Sequence, residues 1–246
     1  MPTSSPARAQ GFPSAWREGV YQAIRRRRDI RAQFRPDPVP EAVLARLLLA
    51  AHHAPSVGFM QPWDFLIVRD REVRRRVRAA FGKAHAREAA AMPPLRRKAY
   101  LRLKLEGILE APLNLCVTCD RSRSRHLPVG RTAQPDMDRY SAVCAVQNLW
   151  LAARAEGVGV GWVSIADPNA VKAALGIPRA RKVVAYLCVG YVSAFPERPE
   201  LETAGWLPRL PLSGLVRLER WGDGLDARWP ELSGAIEREA AALRRR

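Results

Sequence analysis

The sequence predicts an α+β fold, a mixed sheet flanked by helices, and three observations carry that expectation. Short apolar runs of strand length, Phe65 to Val68, Ala111 to Cys119 and Lys182 to Val189, alternate with longer segments whose apolar residues recur at helical spacing. Strands separated by helices pack as layers with the helices covering the sheet. Met137 to Glu156 is apolar nearly all round, through Val143, Val146, Leu149, Trp150 and Ala153, so it belongs in a large core or against a partner subunit. No internal repeat and no linker interrupts the pattern. Residues 14–246 therefore read as one domain behind a disordered tail, 1–13, that is short of large apolar groups.

From Ser14 a helix is expected because Trp16, Val20 and Ile24 recur every four residues. It runs into Arg25-Arg26-Arg27-Arg28-Asp29-Ile30-Arg31, and Phe34 to Pro40 is then extended, since the residue before each proline is biased away from helix. Glu41 to His53 carries Val43, Leu44, Leu47, Leu48 and Ala51 on one face. It delivers the chain into a loop, Ala54-Pro55-Ser56-Val57-Gly58-Phe59-Met60-Gln61-Pro62-Trp63, where two prolines and a glycine disfavour any regular element. Phe59, Met60 and Trp63 are side chains that a merely solvated loop has little reason to carry. Ligand pockets mix apolar groups with backbone donors in this way, although a hydrophobic loop packed on its own core fits the same residues.

Asp70 to Ala91 and Leu95 to Glu110 read as helices charged on one side, and Asp120 to Pro135 as a polar loop. Gly157 to Ile165 begins as a glycine turn and becomes a strand; Asn169 to Leu175 is a short helix. The proline-rich Tyr191 to Gly214 reads as an arm lying on other structure. Glu231 to Arg246 is a last helix whose arginines suit a helix C-terminus.

Composition excludes several classes. With 48% hydrophobic residues the chain has ample material for a core, yet no apolar run reaches the roughly 18 residues of a membrane span, so no membrane partner is expected. The first residues lack the apolar stretch of a secretory signal, and a cytoplasmic location is the expectation. A net charge of +17 and a pI near 11.0 admit a basic nucleic-acid-binding protein. Only five of the 41 basic residues are lysine, however, and the arginines are spread along the chain instead of forming one stripe, so no nucleic acid is the expected partner. Cys116 and Cys119 form a Cys-x-x-Cys inside a strand-like run, where residues three apart point to opposite faces. His52, His53, His85 and His126 lack helix-borne ligand spacing, so no metal site is expected.

The arginine cluster carries the first chemistry. Five arginines in seven residues repel one another, and a phosphate relieves that repulsion by taking paired guanidinium donors in fork geometry. Asp29 either compensates this charge locally or, facing a pocket, acts as a base or proton relay. Gly157-x-Gly159-x-Gly161 is not the dinucleotide fingerprint, because a helix precedes it and a strand follows. The glycines instead allow close approach to another layer, with Trp162 and Ser164 where the strand emerges. Ser164 has no recognisable His and Asp partners, which argues against a hydrolase triad.

Taken in order, Arg27-Arg28-Asp29-Ile30-Arg31 with Phe34, Ala54-Pro55-Ser56 to Gln61-Pro62-Trp63, Gly159-Val160-Gly161-Trp162 and Arg209-Leu210-Pro211-Leu212 resemble the FMN-dependent nitroreductase superfamily. Asp29 in place of a common serine and Gly58-Phe59-Met60 in place of a loop with an asparagine look like its flavin-destroying branch. Leu103 to Gly107, Cys116 to Arg121 and Gly161 to Ile165 point the same way. The resemblance implies a nitroreductase-like domain, a homodimer with the flavin at its interface, and an extended C-terminal arm. It implies reduced FMN as substrate, supplied by a separate flavin reductase, and molecular oxygen as co-substrate. The products would be 5,6-dimethylbenzimidazole, the lower ligand of cobalamin, and erythrose 4-phosphate. By the same resemblance Arg27, Arg28 and Arg31 hold the phosphate, ribityl and pyrimidine end, Lys104 and Arg209 add positive charge, and main-chain groups of Asp29 and Ile30 line that side. Asp29 would move protons at the ribityl carbon next to the ring, and Ser164 would hydrogen-bond the flavin. Ser56 and the Gly58 to Gln61 backbone would cover the ring, with Phe59 and Met60 excluding water. An ordinary FMN nitroreductase using NAD(P)H is the alternative.

Overall fold

The computed structural model describes residues 11–123, 126 and 129–244. Residues 1–10 of the expected tail, and Arg245 and Arg246 of the last expected helix, lie outside them. The chain divides into two compact units, with the boundary between Pro199 and Glu200.

The first unit contains helices α1 (Ser14–Arg26), α2 (Glu41–His52), α3 (Arg71–Ala91), α4 (Pro94–Leu101), α5 (Met137–Ala155) and α6 (Pro168–Leu175), and strands β1 (Trp63–Val68), β2 (Leu113–Cys119), β3 (Val158–Trp162) and β4 (Lys182–Tyr191). The strands form one sheet in the order β1-β2-β4-β3, and every ladder is antiparallel. The parallel component of the expected mixed sheet is a single bridge, between Asp29 and Val160.

Strand β2 is buried along its whole length because it has a neighbour on each side and a helix layer on each face. Leu113, Leu115, Val117 and Cys119 face α2 and α5, in a cluster with Leu44, Leu47, Val146, Leu149 and Trp150. Cys116 faces the other way, toward Val77 and Phe81 of α3 and Val171 of α6. The two cysteines of the Cys-x-x-Cys therefore occupy opposite faces, as strand periodicity requires. Burial pushes the thiols up, to about 12 for Cys116 and about 11 for Cys119, where a negative Asp138 adds to the effect. Neither is a ready thiolate.

Local signals set the helix ends. The Asp70 carboxylate accepts from the Val73 amide at 2.9 Å and starts α3; Asp167 does the same for α6 through the Asn169 and Ala170 amides. Gly176, with φ of 66°, ends α6 in the left-handed region. The helix expected over Leu95 to Glu110 stops at Leu101. Beyond it Ile108 is fully buried, the Glu106 carboxylate accepts from the Ile108 amide, and Gly107 packs so closely that a Cβ there would stand 2.6 Å from the Arg31 carbonyl oxygen. The apolar spacing that imitated a helix serves a loop with buried contacts.

The stripe on α1 stays open in the protomer: Trp16, Val20 and Ile24 are 66%, 51% and 48% exposed. Of the expected arm, Val192 bridges Phe34 and the Ser193 amide donates to the Gln33 carbonyl, within the first unit. From Glu200 on, the arm belongs to the second unit, which holds α7 (Glu200–Thr203), α8 (Leu225–Arg228) and α9 (Pro230–Arg244). Among the described residues no helix is long and apolar enough to cross a membrane.

Candidate functional site

The site is assembled where the chain leaves α1 and crosses the end of β3. Arg27 takes extended angles, φ −61° and ψ 135°, and the helix stops there. Arg28 folds back over that end: its Nη1 donates to the carbonyls of Arg25 at 2.8 Å and Arg27 at 2.7 Å, and its Nη2 donates to the carbonyl of Glu197. Carbonyls at a helix C-terminus have no intrahelical donor, so a guanidinium placed there satisfies them. Arg28, expected to bind a ligand, is engaged in holding the turn together.

The next residues join the sheet. The Ile30 amide donates to the Val160 carbonyl at 3.0 Å, and Ile30 is fully buried. Gly161 permits this crossing, because a Cβ at that position would lie 1.9 Å from the Ile30 carbonyl oxygen. The glycine run thus works by close backbone approach, as expected. Asp29 is clamped beside it: Oδ1 accepts from the Trp162 amide at 2.9 Å and Oδ2 meets Arg31 Nη2 at 2.5 Å. Burial pushes the Asp29 carboxyl above its usual range, against the opposing pull of Arg31, the Trp162 amide and Arg27.

Around this turn the cations outnumber the carboxylates. The Arg27 guanidinium stacks over the Trp150 ring, 4.7 Å from its centroid, and the Arg154 guanidinium over Phe195 at 4.0 Å. Arg154 Nε also donates to the Arg26 carbonyl. Burial, helped by the charge of Arg26, pushes the Arg154 guanidinium below its ordinary value. The Arg31 side chain is 11% exposed, and its Nε is buried with no hydrogen-bond partner among the described residues.

The loop after α2 is held from two sides. The Gln61 amide donates to Ser56 Oγ at 3.1 Å and the Val57 amide to Ser141 Oγ at 3.0 Å. Arg123 Nη1 donates to the carbonyls of Gln61 and Trp63, and its Nη2 pairs with Asp64 at 2.6 Å. Gly58, Phe59 and Gln61 have φ of 54°, 53° and 48°; two of them carry a side chain in the left-handed region, a strain that the surrounding bonds must hold. Met60 is buried and Phe59 is 81% exposed, so only Phe59 is displayed.

Lys104 lies elsewhere in charge space. Its Nζ donates to Glu106 at 3.3 Å and to Glu110, and Glu106, itself buried, also pairs with Arg78 at 2.9 Å. Burial works against the Lys104 charge, but the two carboxylates outweigh it and raise the ammonium above its ordinary value. Ser164 is exposed just past β3 and lines a hollow of about 200 Å³ with Ala84, Arg87, Glu88 and Asp167. A larger hollow, about 450 Å³, lies between β1 and α6 and contains none of the expected site residues. Arg209 is exposed in the second unit.

The structure therefore brings together Arg27, Arg28, Asp29, Ile30 and Arg31, with the strand leading to Ser164 beside them. Sequence reasoning missed Arg123, Glu106 and the ring partners Trp150 and Phe195. Arg123 gave no signal, because its partners are carbonyls some sixty residues away in the chain.

The nitroreductase family model matches residues 24–191. The 5,6-dimethylbenzimidazole synthase of Rhodospirillum rubrum is 46% identical over 200 residues, covering 81% of this chain and 94% of its own. That of Rhodobacter capsulatus is 40% identical over the same length, covering 81% and 96%. Among solved structures, iodotyrosine deiodinase bound to FMN and 3-iodo-L-tyrosine superposes with a TM-score of 0.64 at 23% identity, over 82% of this chain and 98% of its own, which shows a shared fold.

Proposed function

Given that the chain belongs to the nitroreductase family, we propose that it is a 5,6-dimethylbenzimidazole synthase, fragmenting reduced FMN with molecular oxygen to 5,6-dimethylbenzimidazole and erythrose 4-phosphate. The observation that carries this reading is Asp29, a carboxylate gripped by the Trp162 amide and Arg31 beside an arginine excess, in a chain 46% identical to a synthase of that name.

The residues present fit a flavin mononucleotide. Arg31 Nε is a buried donor with no acceptor among the described residues. The bound flavin supplies the redox chemistry with oxygen. Arg27 and Arg31 bind its anionic and polar end, and Arg28 orients them from behind. Asp29 would move a proton at the ribityl carbon next to the ring, a role that suits a carboxyl that burial raises above its usual range. Ser164 hydrogen-bonds the reacting side, Ser56 shapes the loop over the ring, and Phe59 excludes water. Lys104 adds positive charge by exchanging a carboxylate partner for the ligand. The open stripe on α1, with Tyr140 and Val143 exposed on α5, suits a homodimer that closes the site from a second copy. A separate cytoplasmic flavin reductase supplies the reduced flavin.

Incubation of the protein with chemically reduced FMN in air tests this. A new benzimidazole by mass, with matching loss of flavin, is expected. Flavin that survives while NAD(P)H is rapidly oxidised would instead make the protein an ordinary nitroreductase.

A further inference from the structure

Trp150 touches the arginine turn twice. Its indole N–H donates to the Arg28 carbonyl at 3.3 Å, and its ring face carries the Arg27 guanidinium, 4.7 Å from the centroid. The residue sits on α5, is 7% exposed, and also packs on Trp162, the residue whose amide grips Asp29, with ring centroids 6.2 Å apart. It therefore meets the turn through a hydrogen bond, a ring face and a second aromatic.

Stacking has a directional consequence. A guanidinium held over a ring face has fewer orientations open to it, and its coplanar N–H bonds keep the fork geometry that suits two oxygens of a phosphate. A guanidinium on an unstacked side chain samples many planes and loses more entropy on binding. Arg28 Nη1 and Nη2 donate to the carbonyls of Arg25, Arg27 and Glu197.

We infer that Trp150 is a positioning residue for phosphate recognition: its N–H fixes the turn at Arg28 and its face fixes the plane in which Arg27 meets the phosphomonoester of the flavin. This rests on the flavin reading above. It goes beyond it by assigning the affinity for the phosphate, as distinct from the ring, to a residue that touches neither.

The test is equilibrium titration, by quenching of flavin fluorescence, of FMN and of riboflavin, which lacks the phosphate, into the wild type, Trp150→Leu and Trp150→Phe. Trp150→Leu is expected to weaken FMN about 3- to 30-fold, the range of a partly buried cation–π contact, and to leave riboflavin within about 2-fold. Trp150→Phe keeps a ring face and should recover most of the FMN affinity. Circular dichroism and a melting curve confirm that each variant is folded. Equal loss of FMN and riboflavin affinity in Trp150→Leu, or no loss of either, overturns the positioning role. A wild type that binds neither flavin overturns the flavin reading itself, a result no Trp150 variant can produce.

Discussion

Two carboxylates in the first unit, Asp29 and Asp120, each sit beside arginines and end up with opposite acidities. Asp120 faces Arg181 at 2.8 Å and Arg123 at 3.9 Å and accepts from the amide and hydroxyl of Ser122. Burial opposes its charge, but these partners prevail and hold it below the usual carboxylate range. At Asp29 burial prevails over Arg31, the Trp162 amide and Arg27, and the carboxyl rises. Around Asp120 the charges balance, two arginines against Asp120 and Asp64. Around Asp29 two arginines, Arg31 and Arg27, act on one carboxylate, and the Arg27 guanidinium also lies over the Trp150 ring. A balanced cluster ties the loop after β2 to the sheet. An unbalanced one, with a donor left over at Arg31, suits the anion-binding role proposed for it.

The comparison breaks most severely at Asp29 itself. Asp29→Asn keeps the shape and the bond from Trp162 but loses the proton-transfer group, and benzimidazole formation should fall about 100- to 10,000-fold while FMN binding stays measurable. Wild-type turnover in that variant, followed by product mass, removes Asp29 from the chemistry.

Paired arginine variants give the next largest effect. Arg31→Met should weaken FMN about 10- to 100-fold, as loss of a charge-assisted donor does. Arg181→Met should leave FMN affinity unchanged and lower Tm by about 1 to 4 °C, the scale of a partly exposed ion pair. Similar losses of affinity in both variants would erase the distinction between the two clusters.

The smallest effect sharpens it, through pH. Asp29 has a raised pKa in the fold, so its contribution to stability is present below the ordinary carboxylate pKa and is lost as pH rises through the raised one. Asp120 has a lowered pKa, so its contribution is present above the ordinary value and is lost as pH falls through the lowered one. Denaturant midpoints of Asp29→Asn and Asp120→Asn, each measured against wild type from acid to neutral pH, should therefore trend in opposite directions. Parallel trends would mean that partners, and not burial, dominate at both sites.

How much of this was legible beforehand differs by element. The helices expected from Asp70 and Asn169 form, and β2 is buried on both faces as an unbroken apolar run implies. The arginine turn and the glycine approach were also visible as residue types. The segment after Leu101 was not, because Leu105 and Ile108 at helical spacing bury into the face shared with α3 without forming a helix. The resemblance assigns Arg28 and Lys104 to the ligand and says nothing of their protein partners. One closes the end of α1 and the other sits between two glutamates, partners that residue type alone does not choose.

By itself the sequence determined most of the helices and strands, the loop between α2 and β1, and the clustering of positive charge before Phe34, since each depends on residues near in the chain. Only the tertiary structure decided which of those arginines are spent on carbonyls, which ring Arg27 lies on, and that burial outweighs the charges around Asp29. Those outcomes depend on distance and desolvation between segments more than a hundred residues apart, which local pattern does not encode.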